Sequence, residues 1–157
     1  MKTEQITPFI SACEATFKTL LGVLPQREGK MALMTEMFPV HELTALISLT
    51  GGVRAEVLLS MDTEVACHAV ANLLELEINE INKDVMDGVA VILNIIATSA
   101  SGKLAPLQSI NLGLPTVMLG KEHKVYADIQ APWIFIPMKA EGIGTFDIAI
   151  TTEEEQS

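Results

Sequence analysis

Apolar residues recur along this chain with two periods, and the change from one to the other divides it into helices and hairpins. The longest helical repeat runs from Asp84 to Leu104. Val85, Val89, Ile92, Leu93, Ile96 and Ala100 fall on one side of it, the stripe of a helix pressed onto a core. Asp84, Asp87, Asn94, Thr98, Ser101 and Gly102 fall on the other, within an arc of about 100°. Val91 is the apolar residue that interrupts this arc, one turn before Asn94, and Asn82 is the candidate cap. A helix that turns small and polar groups outward, with an amide at its middle, suits the close approach of a second protein. Two helices precede it. The first is expected to open at Thr7-Pro8, with Thr7 as the cap, and to bury Phe9, Cys13, Phe17, Leu20 and Leu21 before Gly22–Pro25 stop it. The second begins at Asp62 as cap and points Val65, Ala69, Leu73 and Leu76 inward.

Period-two segments fill the rest. Gln26–Lys30 reads as a polar turn and Lys30–Phe38 as a strand that Pro39 interrupts. Leu43–Thr50 and Val53–Ser60 form a hairpin around Gly51-Gly52. Leu112–Leu119 is a strand bulged or placed at an edge by Pro115, Gly120–His123 a turn, and Lys124–Gln130 a short strand. Trp133–Lys139 and Thr145–Thr151 make a last hairpin, turning at Glu141-Gly142. Ile47–Glu64 and Ile136–Glu154 echo each other: strand, glycine-bearing turn, strand, then Asp, Thr and Glu residues. The pattern predicts an α+β fold of two α-βββ-like halves, closing one continuous antiparallel sheet with long helices packed on one face. It places a single domain over residues 1–152 and an acidic, disordered tail at Glu153–Ser157.

Composition narrows the chemistry. A chain of 157 residues, 49% hydrophobic, is long enough to bury a core, yet no uncharged apolar run approaches the ~18–20 residues of a membrane span. Met1–Ile10 has no apolar signal core, so a cytoplasmic protein is expected. Ten basic against 20 acidic residues give a net charge of −10, which makes nucleic acid and anionic membrane poor partners. Cys13 and Cys67 lie inside helical patterns and are expected to be buried, reduced thiols. His41, His68 and His123 are scattered without metal-ligand spacing, and no phosphate-cradling loop or nucleophile elbow occurs. Neither a metal nor a cofactor is expected in this chain. What remains is Asn94. An exposed mid-helix asparagine costs a few tenths of a kcal/mol against alanine, so one reading is a tolerated surface amide. The other is that a carboxamide, which donates and accepts at once, holds a water for in-line attack on a phosphoryl group, framed by Ala90, Ala97 and Thr98.

Five segments in order favour the second reading: TPFI at Thr7–Ile10, SLTGG at Ser48–Gly52, EIN at Glu77–Asn79, the helix D-x-x-D-x-x-x-x-x-x-N-I-I-A at Asp84–Ala97, and LPTVMLGKEH at Leu114–His123. In these the chain resembles the CheX members of the CheC/CheX/FliY family of chemotaxis phosphatases, nearly end to end. The resemblance implies long helices against a continuous antiparallel sheet, and dephosphorylation of the aspartyl phosphate on a CheY-type response regulator. It also implies a homodimer that pairs sheet edges, and any Mg2+ would belong to the regulator. The family signature is E-x-x-N, in which the amide orients the attacking water and the acid pairs with a lysine of the regulator. Asn94 matches the amide, but the acidic position is Val91, and Ala90 and Thr98 replace the flanking glycines. Asp87 is the candidate substitute acid, about 20° from Asn94 around the helix and ~10 Å along it. The first helix offers no second site, since Glu14 is followed three residues on by Phe17. The expected partner surface is therefore Asp84, Asp87, Val91, Asn94, Thr98 and Ser101. Three functions stay open: a regulator phosphatase, weakened or relying on Asp87; a CheX-like module that binds a regulator or other signalling partner without catalysis; and a scaffold domain related to flagellar-switch proteins by fold.

Overall fold

Three helices and ten strands make up what the computed structural model describes, residues 3–52, 54–104 and 109–153. In chain order they are α1 (Thr3–Leu21), β1 (Gln26–Arg27), β2 (Ala32–Met34), β3 (Phe38–Pro39), β4 (Leu43–Gly51), β5 (Arg54–Met61), α2 (Thr63–Leu74), α3 (Lys83–Leu104), β6 (Ile110–Leu112), β7 (Thr116–Leu119), β8 (Lys124–Val125), β9 (Trp133–Ala140) and β10 (Gly144–Glu153). Eight strands form one antiparallel sheet in the order β1-β9-β10-β5-β4-β6, with β2 also on β9 and β7 also on β4. The hairpins β4–β5 and β9–β10 meet through β10 and β5, in a register that sets Ile148 against Leu59. Each hairpin then takes its outer neighbour from the other half of the chain. β1 and β2, which follow α1, pair with β9; β6 and β7, which follow α3, pair with β4. The fold is the α+β arrangement expected, with its two halves interleaved.

Alternation along the central strands separates two cores. Leu43, Ala45, Ile47 and Leu49 of β4, Val57, Leu59 and Met61 of β5, and Phe146, Ile148 and Ile150 of β10 face the helices. There Phe17 of α1 stacks on Phe146 with centroids 4.6 Å apart. The opposite face carries a smaller cluster of Leu58, Trp133, Phe135 and Ala149, covered by the two-stranded ribbon β3–β8. Phe38 of that ribbon meets Phe135 edge-on at 4.7 Å.

Several boundaries differ from the expectation, each for a local reason. α1 begins at Thr3, so Thr7 is no cap and Pro8 lies within the helix. The proline sacrifices only the bond to the carbonyl of residue 4, near the helix start. Asp62 occupies the N-cap position of α2 but makes no side-chain capping bond. That helix buries Ala66, Cys67, Ala69 and Val70, while Val65 and Leu73 are only partly buried. Leu76 lies beyond its end and is exposed, because the chain leaves the helix through Glu75 at φ 55. Asn82 does cap α3, its Oδ1 accepting from the Val85 N–H at 2.9 Å. Gln26–Arg27 is a strand rather than a turn, and Lys30–Phe38 is only β2 and the start of β3. The Leu112–Leu119 segment is broken at Gly113–Pro115, with Gly113 N–H bonded to Ser48 O at 2.8 Å. Only Lys124 and Val125 of the next segment are extended, because Asp128 Oδ1 accepts from the N–H groups of Gln130 (2.9 Å) and Ala131 (2.7 Å) and turns the chain. Glu153, assigned to the tail on composition, is the last residue of β10 and pairs with Arg54. Pro106 and residues 154–157 lie outside the described residues.

α3 is the central helix, packed on α1, α2 and β4. All six residues of its expected apolar stripe are fully buried, together with Gly88 and Ala97. A Cβ on Gly88 would stand 2.7 and 2.8 Å from the two γ-methyls of Val70, so the missing side chain is what lets α2 lie against α3. By length and composition α3 would pass for a membrane span; its apolar side is spent on this core.

Candidate functional site

The outer face of α3 is the candidate site. Turning about 100° per residue, its most exposed line passes through Asp87, Val91 and Thr98. Val91 is 48% exposed at the centre of the face. Asn94 and Ser101 are partly buried along one margin, and Ile95 is exposed along the other. Asp84 and Asp87 give the first turns of the face a negative charge, and the next ionisable group along the helix is Lys103, in its last turn. Of the residues expected to frame Asn94, Ala97 is fully buried and frames it only from within; Ala90 and Thr98 flank it at the surface. Ile95 was absent from the expected partner surface, although 100° from Asn94 on the exposed side it belongs there.

Thr98 is tied back onto the helix. Its hydroxyl donates to the Asn94 carbonyl at 2.8 Å and lies 3.3 Å from Asn94 Oδ1, while the Ser101 hydroxyl donates to the Thr98 carbonyl at 2.8 Å. The Asn94 carboxamide thus projects from a rigid element with its Nδ2 free of partners among the described residues. Such a face offers one amide that donates and accepts, and carboxylates about two and three turns of helix away. Its two hydroxyls, on Thr98 and Ser101, donate to backbone carbonyls and are not activated as nucleophiles. Its chemistry is limited to holding a water or a partner's polar group in place, and any bond broken there must come from the partner.

Elsewhere, the position matching Asn94 on α1 is Phe17, fully buried against Phe146, so at that position α1 belongs to the core and offers no amide. Cys13 and Cys67 are buried free thiols. Burial pushes both up from the ordinary thiol range, helped by Glu14 for Cys13 and by Glu80 for Cys67, which leaves them poor nucleophiles. His41, which the sequence leaves isolated, instead meets Asp62 and Asp147 on the far face of the sheet.

The chain is similar to proteins of known kind. A family model described as chemotaxis phosphatase CheX matches residues 43–139. The CheY-P phosphatase CheX of Thermotoga maritima is 24% identical over 127 residues, covering 80% of this chain and 81% of that protein. Among solved structures, the chemotaxis protein CheX from Desulfovibrio desulfuricans matches with a TM-score of 0.82 and 23% identity, over 96% of this chain and 99% of that one. CheX in a CheX–CheY–BeF3–Mg2+ complex from Borrelia burgdorferi matches with a TM-score of 0.80 and 19% identity, over 95% and 97%.

Proposed function

This chain belongs to the chemotaxis phosphatase CheX family, and from that premise we propose that it dephosphorylates the aspartyl phosphate of a CheY-type response regulator, with α3 as the docking element. The observation that carries this reading is Asn94, a carboxamide presented from the exposed side of a helix whose opposite side is fixed in the core. Regulator and water would meet at that amide. Its oxygen and nitrogen orient the water in line with the scissile P–O bond, and the aspartate of the regulator leaves. Asp84 and Asp87 suit a basic rim on the partner, and the regulator supplies Mg2+.

Val91 makes the activity weak in this reading. A valine cannot pair with a lysine of the regulator, and truncating one partner of a buried interface charge pair costs about 2–5 kcal/mol. Asp87 is the nearest carboxylate, ~10 Å along the axis from Asn94, and would serve only a partner that docks toward the N-terminus of α3. The same valine favours the second reading, a CheX-like module that binds a regulator without hydrolysing it. The expected assembly is a homodimer through sheet edges; Leu119, exposed on the edge strand β7, supports it.

The deciding experiment follows loss of label from phosphorylated cognate regulator. On the phosphatase reading the protein accelerates the loss and Asn94→Ala abolishes the acceleration without weakening binding. Binding with no acceleration by the wild type leaves the module, and absence of both leaves a scaffold related by fold.

A further inference from the structure

On the sheet face away from the helices, six polar side chains from distant parts of the chain converge: His41, Thr44, Ser60, Asp62, His123 and Asp147. His41 is the hub. Its Nδ1 lies 3.0 Å from Asp62 Oδ1 and its Nε2 3.0 Å from Asp147 Oδ2. Its backbone is held as well, the N–H donating to Ser60 Oγ at 2.9 Å and the carbonyl accepting from Thr44 Oγ1 at 3.1 Å. An ionised carboxylate only accepts hydrogen bonds, so both ring contacts are bonds only when both nitrogens carry protons. The geometry is that of an imidazolium.

Asp62 is also the N-cap residue of α2. Its backbone, at φ −68 and ψ 157, has the extended conformation that capping requires, and its carbonyl already accepts from the Ala66 N–H at 3.0 Å. Only its carboxylate is missing from the cap, because that group is turned to His41.

We propose that His41 and Asp62 form a proton-operated cap switch on α2. The imidazolium holds the Asp62 carboxylate away from the helix, and the neutral ring releases it to the N–H groups of the first turn. A neutral imidazole keeps a single N–H, so one carboxylate must lose its donor. The Asp147 side chain is 21% exposed and that of Asp62 is 63% exposed. Losing the donor costs the better-hydrated group less, so the ring keeps Nε2–H on Asp147 and lets Asp62 go. The charged groups facing the ring are these two carboxylates, from β10 and from the start of α2; the His123 Nε2 lies 3.1 Å from Thr44 Oγ1, which bonds the His41 backbone carbonyl and not its ring. The hydrogen bond to Asp147, with the charges of both carboxylates, outweighs burial and raises the His41 pKa above its ordinary 6.5. The clamp is therefore complete below about 6.5 and is lost as pH rises through the higher folded value.

The test is NMR of the intact protein across the titration. Ring 15N shifts should place the His41 midpoint above the ordinary value and report the Nε2–H tautomer on the alkaline side. The amides of Glu64 and Val65 should move downfield with the same midpoint, as Asp62 engages them. In Asp62→Ala those amide shifts disappear while α2 stays folded, and in Asp147→Asn the midpoint falls. Amides that ignore the His41 transition, or a histidine that titrates at or below its ordinary value, overturn the switch.

Discussion

Replacing Val91 by glutamate separates a site that lacks one group from a site that is wrong in several. Val91 is 48% exposed at the centre of the outer face, so a longer side chain can leave the helix without entering the core. Full burial of a valine is worth about 1.5–3 kcal/mol, and roughly half of that is at stake here. Glutamate regains a few tenths through better helix propensity, about 0.3 kcal/mol. Asp87, four residues earlier on the same face, takes back about 0.2–0.5 kcal/mol as a like-charge neighbour. The net is a loss of about 1 kcal/mol, or roughly 2–4 °C in melting temperature for a chain of this size. Against that stands the restored interface pair. Recovering even 2 of the ~2–5 kcal/mol that such a pair carries is about a 30-fold acceleration. The assay is decay of phosphorylated regulator under single-turnover conditions, with binding measured separately. Val91→Glu should raise hydrolysis at least ~10-fold, and Asn94→Ala in the same background should remove the gain. If the wild type relies on Asp87, Asp87→Asn lowers wild-type activity but is neutral beside Glu at 91. A folded Val91→Glu that binds regulator without faster hydrolysis refutes the reasoning, because the missing carboxylate would then not be what limits the site.

Two further predictions concern the packing behind α3 and the cluster on the far face of the sheet. Gly88→Ala puts a Cβ under 3 Å from both methyls of the buried, stiff Val70. Overpacking of about 1–3 kcal/mol outweighs the ~1 kcal/mol gained in helix propensity, so thermal unfolding should show a net loss, and Val70→Ala should be less costly in the Gly88→Ala background than alone. Equal or higher stability of Gly88→Ala would show that the helices separate freely. The melting-temperature advantage of the wild type over His41→Gln should be largest near pH 6 and shrink toward about pH 9, within the ~0.2–1 kcal/mol of partly exposed pairs. An advantage that grows with pH would mean that the ring is neutral in the fold.

The α3 helix was legible because burial on one side of a helix imposes a period, and Val85 to Ala100 keep it without error. The hairpins were legible for the same reason at period two. The short strands were legible only in part: β2 and β7 fall inside the expected segments Lys30–Phe38 and Leu112–Leu119, but β1 and most of β6 do not. The extension of all four, two to four residues each, is imposed by the edges of β9 and β4 that they meet. Asp128 shows the converse, a local side-chain bond that bent a segment whose composition suggested a strand. The outward placement of Asn94 could be read from the helical period, and its chemistry only from the motifs around it. Ile95 is exposed beside the polar stripe, but an apolar side chain at helical spacing carries the same signal as a core residue. The His41 cluster was invisible: its partners are 21 and 106 residues away, with no spacing that a motif could record.

The exchange of edge strands between the two halves also governs how the molecule is made. Neither half can finish its own sheet, since β1 and β2 wait for β9 and β4 waits for β6 and β7, each translated later. Assembly is thus a late, concerted event across the whole length of the chain, dominated by distant contacts and correspondingly slow. The amino-terminal half keeps an incomplete β-edge, on β5, until β10 has been made.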